Sequence, residues 1–297
     1  MAAFGMQAQA EGGDAFAPPG YGPSASAAML GAVREDVRQT LRVGWIDPVL
    51  EAASGFPLFF TAAWSAIRPN VGKSFLALAR VVRTEAVDSL GASVAVPDIR
   101  RRLERELSEE ELIRIGESAR ALHQVMAKVQ IVTHAMHRMA RRERIPGTGR
   151  EEPPVRRGVP EWQRWMSFQP SPPPADHLLG ESGRLMGIPS APTPLRLFAR
   201  WPSVLMSMWQ EVTPLLTTEV WHTTGTRLRR IVLSRINSLP HPMELQWGAL
   251  MARGFNEPDR ERLSLTLAGY EASMASQTAM AAFAWIALGS PEMGLEG

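Results

Sequence analysis

The chain has 297 residues, of which 45% are hydrophobic, and it carries a formal net charge of only +2. It has room for two average domains or for two halves that share one core. Because it contains no cysteine, disulfides, thiolate metal ligands and cysteine nucleophiles are excluded, and we expect a cytoplasmic protein. Basic and acidic residues are interleaved rather than clustered, which argues against nucleic acid as a partner.

In chain order, residues 1–28 are rich in Ala, Gly, Pro and Ser and lack the blocks of a signal peptide, which predicts a flexible N-terminal extension. Residues 27–43 have apolar positions at helical spacing and predict a first amphipathic helix. Asp47 precedes Pro48 in the pattern of a helix N-cap, and Pro57 begins a further helix. The remaining long helical patterns cover residues 71–90, 108–141, 217–238 and 257–288.

No run of residues predicts a β-strand, so the predicted fold class is all-α. No apolar stretch reaches the roughly 20 residues of a spanning helix, so we expect no membrane contact. Residues 142–190 are rich in proline, glycine and arginine and predict a long linker. Because Trp162, Trp165 and Phe168 interrupt it, we expect a strap whose middle is held against the body.

Two stretches repeat the same aromatic and proline residues at an offset of 145 residues. They are Phe56, Pro57, Trp64 and Pro69 in the first half, and Trp201, Pro202, Trp209 and Pro214 in the second. This recurrence predicts two homologous helical repeats, residues 29–141 and 191–297, that are related by a pseudo-twofold axis. The seam between them is the expected place for a pocket.

The two stretches also resemble a known family. Residues 35–45 (Glu-Asp-Val-Arg-Gln-Thr-Leu-Arg-Val-Gly-Trp) and residues 199–205 (Ala-Arg-Trp-Pro-Ser-Val-Leu) are similar to segments of the group I 2-haloacid dehalogenases. The resemblance implies an all-helical fold of two related halves around a buried pocket. It also implies hydrolysis of the carbon–halogen bond of small 2-halocarboxylic acids, by a water that an aspartate activates with the help of an asparagine.

The family's two catalytic positions hold different residues in this chain. The resemblance places the aspartate at Pro194 and the asparagine at Val125, and neither side chain can act as a base or donate a hydrogen bond. Other pocket positions retain polar groups, because Trp45 matches a family tryptophan, Thr193 replaces a serine and Tyr270 matches a tyrosine. These five residues are the predicted substrate-binding set.

Asp47 is the first candidate for a replacement base, because Asp47-Pro48 is the first-half counterpart of Thr193-Pro194. The alternative is that Asp47 is only a helix N-cap with an ordinary pKa. Arg42 could bind a substrate carboxylate, but in a chain whose 32 basic residues include only two lysines we expect it to be solvated.

His123, Gln130 and His134 form one helical stripe, and His137 lies one turn further on. Histidine could act as a base or bind a metal or haem, and His123 is the second catalytic candidate because it lies two residues before Val125. No carboxylate stands at ligand spacing on that helix, so we expect neither a metal nor another cofactor, although a metal or haem role for the histidines stays open. A stripe that faces solvent or the linker is the alternative.

Three hypotheses follow for the function. The first is a diverged dehalogenase-like enzyme that acts on a small or medium organic acid, with changed chemistry because the family's aspartate and asparagine are absent, and that uses Asp47 or His123 for proton transfer. The second is a non-catalytic relative that binds a small molecule in a biosynthetic pathway, and the third is a true hydrolytic 2-haloacid dehalogenase. The sequence leaves open the substrate, the stereochemical preference and the oligomeric state.

Overall fold

The computed structural model describes residues 23–153, 155–168 and 173–289. Within these ranges the chain is all-α, as predicted, and residues 145 and 243 form an isolated β-bridge rather than a strand. The helices are α1 Pro23–Leu41, α2 Pro48–Ser54, α3 Pro57–Ile67, α4 Lys73–Ser93, α5 Ile99–Leu103, α6 Glu109–Ala140, α7 Pro173–Leu185, α8 Thr193–Phe198, α9 Pro202–Val212, α10 Glu219–Arg235, α11 Trp247–Ala252 and α12 Glu257–Leu288. None of these helices combines the length and apolar character needed to cross a membrane.

The core is built on α6 and α12, which have 32 residues each and pack along one another. At 1.5 Å per residue each helix is about 48 Å long. Ser108 and Glu111 form a capping box that starts α6. Asn256 accepts a hydrogen bond from the backbone N–H of Asp259 and starts α12. Helices α2, α4, α8 and α10 all contact α12, so both ends of the chain contribute to one hydrophobic core.

Corresponding helices of the two halves begin in the same way. Helices α3 and α9 both start with proline after an aromatic N-cap residue. Phe56 has φ −117° and ψ 75°, and Trp201 has φ −121° and ψ 89°. Each helix has 11 residues and continues into a short 3-10 turn that contains the repeated proline. These features are what an internal duplication would produce, while the pseudo-twofold axis itself stays a prediction.

The segment after α6 runs across helices from the first half. The Glu152 carboxylate accepts hydrogen bonds from the backbone N–H and the hydroxyl of Ser74 at the start of α4. The backbone N–H groups of Gly158 and Val159 donate to Gln39 of α1. Aromatic side chains hold the next part, as Arg120 lies over Trp162 at 5.2 Å and Trp165 packs edge-on against Trp201 at 6.3 Å. From here on, the strap means only residues 151–153 and 155–168 of the longer predicted linker.

Two predicted boundaries differ from the structure. Helix α1 begins at Pro23, inside the predicted extension, and residues 1–22 of that extension lie outside the described residues. The predicted linker of residues 142–190 contains α7, which sequence analysis did not predict. The reason is visible in its composition: prolines precede α7, but Ala175, Leu178, Leu179 and Ser182 are buried at helical spacing. The apolar stripe therefore outweighs the surrounding prolines.

Candidate functional site

Asp47 joins the beginnings of two helices from different halves. It is the N-cap of α2, where Oδ1 accepts a hydrogen bond of 3.1 Å from the backbone N–H of Val49. Its Oδ2 accepts a hydrogen bond of 2.6 Å from the hydroxyl of Thr193, the first residue of α8. Two residues that the sequence singled out separately are thus in direct contact.

The Asp47 side chain is almost fully buried, at 2% exposed. Burial raises the pKa of its carboxyl to about 6, even though Thr193, Val49 and the positive charge of Arg196 favour the ionised form. A carboxyl with this pKa is mostly ionised at neutral pH and is a stronger base than an ordinary aspartate. Asp47 therefore combines a structural cap with the acid–base properties of a catalytic carboxylate.

Thr193 connects Asp47 to the central helix α12. Its backbone N–H donates to Gln277 Oε1 over 3.0 Å, and Gln277 Nε2 donates to Ser273 Oγ over 3.1 Å. All four residues are buried, so these bonds are shielded from water. The network fixes the hydroxyl of Thr193 and through it the orientation of the Asp47 carboxylate.

Tyr270 lies on the same face of α12 as Ser273 and Gln277, so its side chain is also near Thr193 and Asp47. Its hydroxyl is 2.9 Å from Ser190 Oγ. Burial raises the pKa of Tyr270, and the negative charge of Asp47 acts in the same direction. The phenol is therefore neutral near pH 7 and can donate a hydrogen bond.

Trp45 and Arg196 supply groups that suit an anion. The guanidinium of Arg196 lies over the ring of Phe168 at 4.3 Å, and Phe168 packs against Trp45 with ring centroids 6.1 Å apart. The buried indole N–H of Trp45 has no hydrogen-bond partner in the structure. Arg196 forms no ion pair with a described carboxylate. Trp45 and Arg196 thus lie on either side of Phe168, and a buried donor without a partner is a group that binding an anion would satisfy.

Pro194 and Val125, the two positions that the resemblance aligned with the family's aspartate and asparagine, are both buried in the structure. Val125 is fully buried on α6, and Pro194 is buried as the second residue of α8. Pro194 adjoins Thr193, so the Asp47 carboxylate reaches the helix end where the family aspartate would begin its side chain. This is the physical basis for considering Asp47 as the replacement.

The histidine stripe faces α12 instead of solvent or the linker. His123 stacks on Trp285 at 5.6 Å, and Gln130 accepts a hydrogen bond of 2.8 Å from Thr278. Burial, together with the nearby charge of Arg83, lowers the pKa of His123 to about 4, so it is neutral near pH 7. The contacts of His123 do not connect it with Asp47, so the structure does not unite the two catalytic candidates.

His134 takes part in a buried charged cluster. Its Nε2 is 3.0 Å from Glu271 Oε1, and Arg229 contacts both oxygens of the same carboxylate. Burial alone would raise the pKa of Glu271, but the contacts with His134 and Arg229 prevail and lower it to about 2. In the described part of the chain, no three His, Cys, Asp or Glu side chains are grouped as a metal site requires.

Comparison with known proteins relates this geometry to an enzyme family. The chain is 23% identical over 232 residues to an (R)-2-haloacid dehalogenase of Rhizobium sp. (strain NHG3), which covers 73% of this chain and 86% of the relative. The fold of the present chain matches that of a D-2-haloacid dehalogenase mutant in complex with D-2-CPA, with a TM-score of 0.79. The match has 16% sequence identity and covers 87% of this chain and 91% of that structure's chain. The predicted resemblance to the 2-haloacid dehalogenases is confirmed. A D-2-haloacid dehalogenase in complex with L-LA matches equally well, over 92% of its length, whereas no family profile matches the chain.

The dehalogenase-like fold also brings in residues that sequence analysis did not assign to the site, although it had singled out Phe168 as an aromatic residue of the linker. Arg196, Gln277, Ser190 and Phe168 come from α8, α12, the loop between α7 and α8, and the strap. Only Arg196 carried a usable signal, because it follows Thr193-Pro194 by less than one helical turn. The others are ordinary polar or aromatic residues whose role depends on which helices meet.

Proposed function

We propose that this protein is a dehalogenase-like enzyme that acts on a small or medium organic acid and uses Asp47 in place of the family's aspartate. The observation that carries the proposal is the buried Asp47 carboxylate, with its pKa raised to about 6 and its orientation fixed by Thr193. An exposed N-cap would need neither feature.

In the proposed reaction, Asp47 accepts a proton from a water molecule as that water attacks C2 of a 2-halo acid. The new carbon–oxygen bond displaces the halide, and the products are the 2-hydroxy acid, a halide ion and a proton. Each oxygen of Asp47 accepts one hydrogen bond in the structure and has a further lone pair for water. Arg196 and the Trp45 N–H would hold the substrate carboxylate or the departing halide.

A second candidate function is binding of a small organic acid without catalysis. The observation that favours it is that both Asp47 oxygens already have hydrogen-bond partners, while Pro194 and Val125 offer no acid–base group. In this case Asp47 is a buried cap, and Trp45, Tyr270 and Arg196 form the recognition groups.

Halide release from the two enantiomers of 2-chloropropionate tests the proposal directly. We expect turnover by the wild-type protein and a loss of about 100-fold or more in Asp47→Asn, since general base catalysis contributes on this scale. Asn retains the acceptor for Val49 and can bond to Thr193, so the substitution preserves the shape of the site.

Asp98→Asn is the matched control, because Asp98 is an N-cap that accepts a hydrogen bond from the backbone N–H of Arg101 at the start of α5. It should leave halide release unchanged. Equal activity of Asp47→Asn and wild type would remove Asp47 from the mechanism. Absence of halide release, together with saturable thermal stabilisation by 2-chloropropionate that Arg196→Gln abolishes, would establish the binding function instead.

A further inference from the structure

A cavity of about 290 Å³ lies between the end of α1, helices α4 and α6, and the strap. No residue of the Asp47 cluster lines it. Its lining contains no aspartate or glutamate, and it contains six basic side chains. These are Arg42, Arg80, Arg83, Arg120, Lys128 and Arg156. The net charge of the whole chain is only +2, so this cluster of positive charge is a local feature of the cavity.

Several of the positive charges in this cavity form no ion pair with an acid in the described part of the chain. Elsewhere in the described residues many arginines form ion pairs, such as Arg102 with Glu211. By contrast, no described carboxylate forms an ion pair with Arg42, Arg80, Arg83 or any lysine. Like charges at close range destabilise one another, and an anion in the cavity would remove that repulsion.

The effect of this repulsion is seen at two of the basic groups. Burial lowers the pKa of Lys128 to about 7, and the charges of Arg42 and Arg83 lower it further in the same direction. Burial and the charge of Arg80 also lower the pKa of Arg83. The potential inside the cavity is therefore strongly positive.

Three buried polar atoms in the same lining have no hydrogen-bond partner. They are Thr40 Oγ1, Arg42 Nε and Gln163 Oε1. Buried polar atoms are almost always paired, so three unpaired atoms in residues around one cavity are unusual. The Thr40 hydroxyl and the Arg42 N–H are donors, and side-chain rotations would turn these groups and the NH₂ group of Gln163 toward an anion in the cavity.

Arg42 also adopts an unfavourable backbone conformation. Its φ is +58°, in the left-handed region that costs a non-glycine residue about 1 kcal/mol or more. It directly follows the last residue of α1, so the strained position both ends that helix and places a half-buried guanidinium at the cavity. Sequence analysis expected a solvated Arg42, whereas the residue is half-buried and its Nε is inaccessible to water, in a cavity that strap residues also line.

We propose that this cavity binds a small phosphate-bearing molecule that carries two or more negative charges. Several guanidinium groups match the planar, bidentate recognition of phosphate oxygens. A monocarboxylic acid would neutralise too little of the charge. Leu41, Leu76, Ala79 and Trp162 complete the lining and provide contact for an organic part of the ligand.

Local structural roles account for only two of the basic residues. Lys128 Nζ donates to the backbone carbonyl of Leu41 at the end of α1 over 2.8 Å, which leaves two further N–H donors. Arg120 lies over the ring of Trp162. In the described residues, no such contact explains the other four, Arg42, Arg80, Arg83 and Arg156.

Inorganic pyrophosphate is the test ligand, with titration calorimetry on the full chain at constant ionic strength. We expect saturable binding that Arg83→Gln weakens roughly tenfold or more, because a charge-assisted contact is lost. Arg230→Gln is the matched control, since Arg230 is exposed on α10, has the same charge and lies outside the cavity. It should change the affinity less than twofold.

Thermal unfolding without ligand separates a binding site from a structural cluster. Removing one of several repelling charges should raise the melting temperature of Arg83→Gln, although the same substitution weakens binding. A lower melting temperature with unchanged binding would overturn the proposal. So would pyrophosphate binding no stronger than that of chloride at the same ionic strength, and tighter binding of citrate would overturn the assignment to phosphate.

Proton uptake provides a second readout at the same site. The groups that face Lys128 are all basic: Arg42 after α1, Arg80 and Arg83 on α4, Arg120 on α6 and Arg156 on the strap. A bound anion favours the charged ammonium, so binding at pH 8 should take up protons, measured in buffers of different ionisation enthalpy. Lys128→Met should reduce this proton uptake relative to wild type, and equal uptake by the two proteins would contradict the placement of the anion beside Lys128.

Asp47→Asn should bind pyrophosphate with the affinity of the wild-type protein. Failure of the proposed catalysis and failure of this site are therefore distinguishable.

Discussion

At the scale of single residues, Asp47 has two roles that impose opposite demands. As an N-cap it is most useful when ionised, yet its burial beside Thr193 makes ionisation costly. Its pKa of about 6 expresses the balance. In its proposed role as a base, the ionised Asp47 lowers the stability of the fold relative to a neutral residue, which is the usual relation between stability and activity at catalytic groups.

The pH dependence of catalysis should reveal this balance. We expect kcat/KM for 2-chloropropionate to rise with pH through an apparent pKa of about 6, because Asp47 must be ionised to accept a proton. The residual activity of Asp47→Asn should not show this rise of kcat/KM through pH 6. A wild-type profile that is flat between pH 5 and 7 would contradict the assignment.

The same shift predicts a change in stability. The pKa of Asp47 in the folded protein lies above the ordinary value of 3.8, so protonation of Asp47 favours the folded state. This contribution to the free energy of unfolding is fully present below pH 3.8 and is lost as the pH rises through 6. At pH 7 we therefore expect Asp47→Asn to be more stable than wild type by about 1–3 kcal/mol in urea unfolding. The gain should disappear near pH 4, and a loss of stability at pH 7 would show that the cap outweighs the cost of burial.

Glu271 makes the opposite contribution. Its folded pKa of about 2 lies below the ordinary 4.5, so its stabilisation is present above pH 4.5 and is lost as pH falls toward 2. We expect Glu271→Gln to lower the free energy of unfolding at pH 7 by about 2–3 kcal/mol, because His134 and Arg229 lose their buried partner. The difference should vanish near pH 2.

Glu110→Gln is the control for this measurement. Glu110 pairs with Arg114 on the exposed face of α6, where an ion pair contributes about 0.5 kcal/mol or less. Equal losses of stability in Glu110→Gln and Glu271→Gln would mean that burial does not determine the strength of the Glu271 cluster.

At the scale of elements, the strap depends on a close backbone approach at Gly44. A Cβ at this position would be 2.4 Å from the carbonyl oxygen of Gln163 and 3.1 Å from that of Met166. Both are backbone atoms, so the strap itself would have to move. Because Gln163 also lines the basic cavity, the position of the strap and the shape of that cavity are coupled.

We therefore expect Gly44→Ala to lower the free energy of unfolding by about 1–3 kcal/mol and to weaken pyrophosphate binding. Gly31→Ala is the control, since a Cβ there meets nothing within 4 Å in the middle of α1 and should stabilise the protein by up to about 1 kcal/mol. Urea unfolding of both variants, followed by circular dichroism, measures the difference. Equal stability would show that the strap is held more loosely than its contacts indicate.

At the scale of the whole molecule, the packing of α6 against α12 joins the two halves of the chain into one core. Each long helix belongs to a different half, and the buried contacts of His123, Gln130 and His134 are with α12. A half that is separated from its partner would expose an entire face of its longest helix. The proposed repeats of residues 29–141 and 191–297 are in this view parts of one core.

Separate expression of residues 1–168 and 169–297 tests this conclusion. Neither fragment should unfold cooperatively alone, whereas an equimolar mixture should show one cooperative transition by circular dichroism. Cooperative melting of either fragment by itself would identify the halves as independent domains.

Local patterns in the sequence determined the long helices, the all-α class and the resemblance to the 2-haloacid dehalogenases, because helical spacing and residues such as Pro57 and Pro202 act within a few positions of the chain. Helix α7 was missed because the prolines around its start hid its apolar stripe. The local patterns also supplied Asp47 and Thr193 as candidates. Only the tertiary structure decided that these two side chains bond to each other, that the histidine stripe faces α12, and that scattered arginines meet in one cavity. The physical reason is that burial and electrostatic potential depend on which surfaces pack together, and residues far apart in sequence carry no local signal of that pairing.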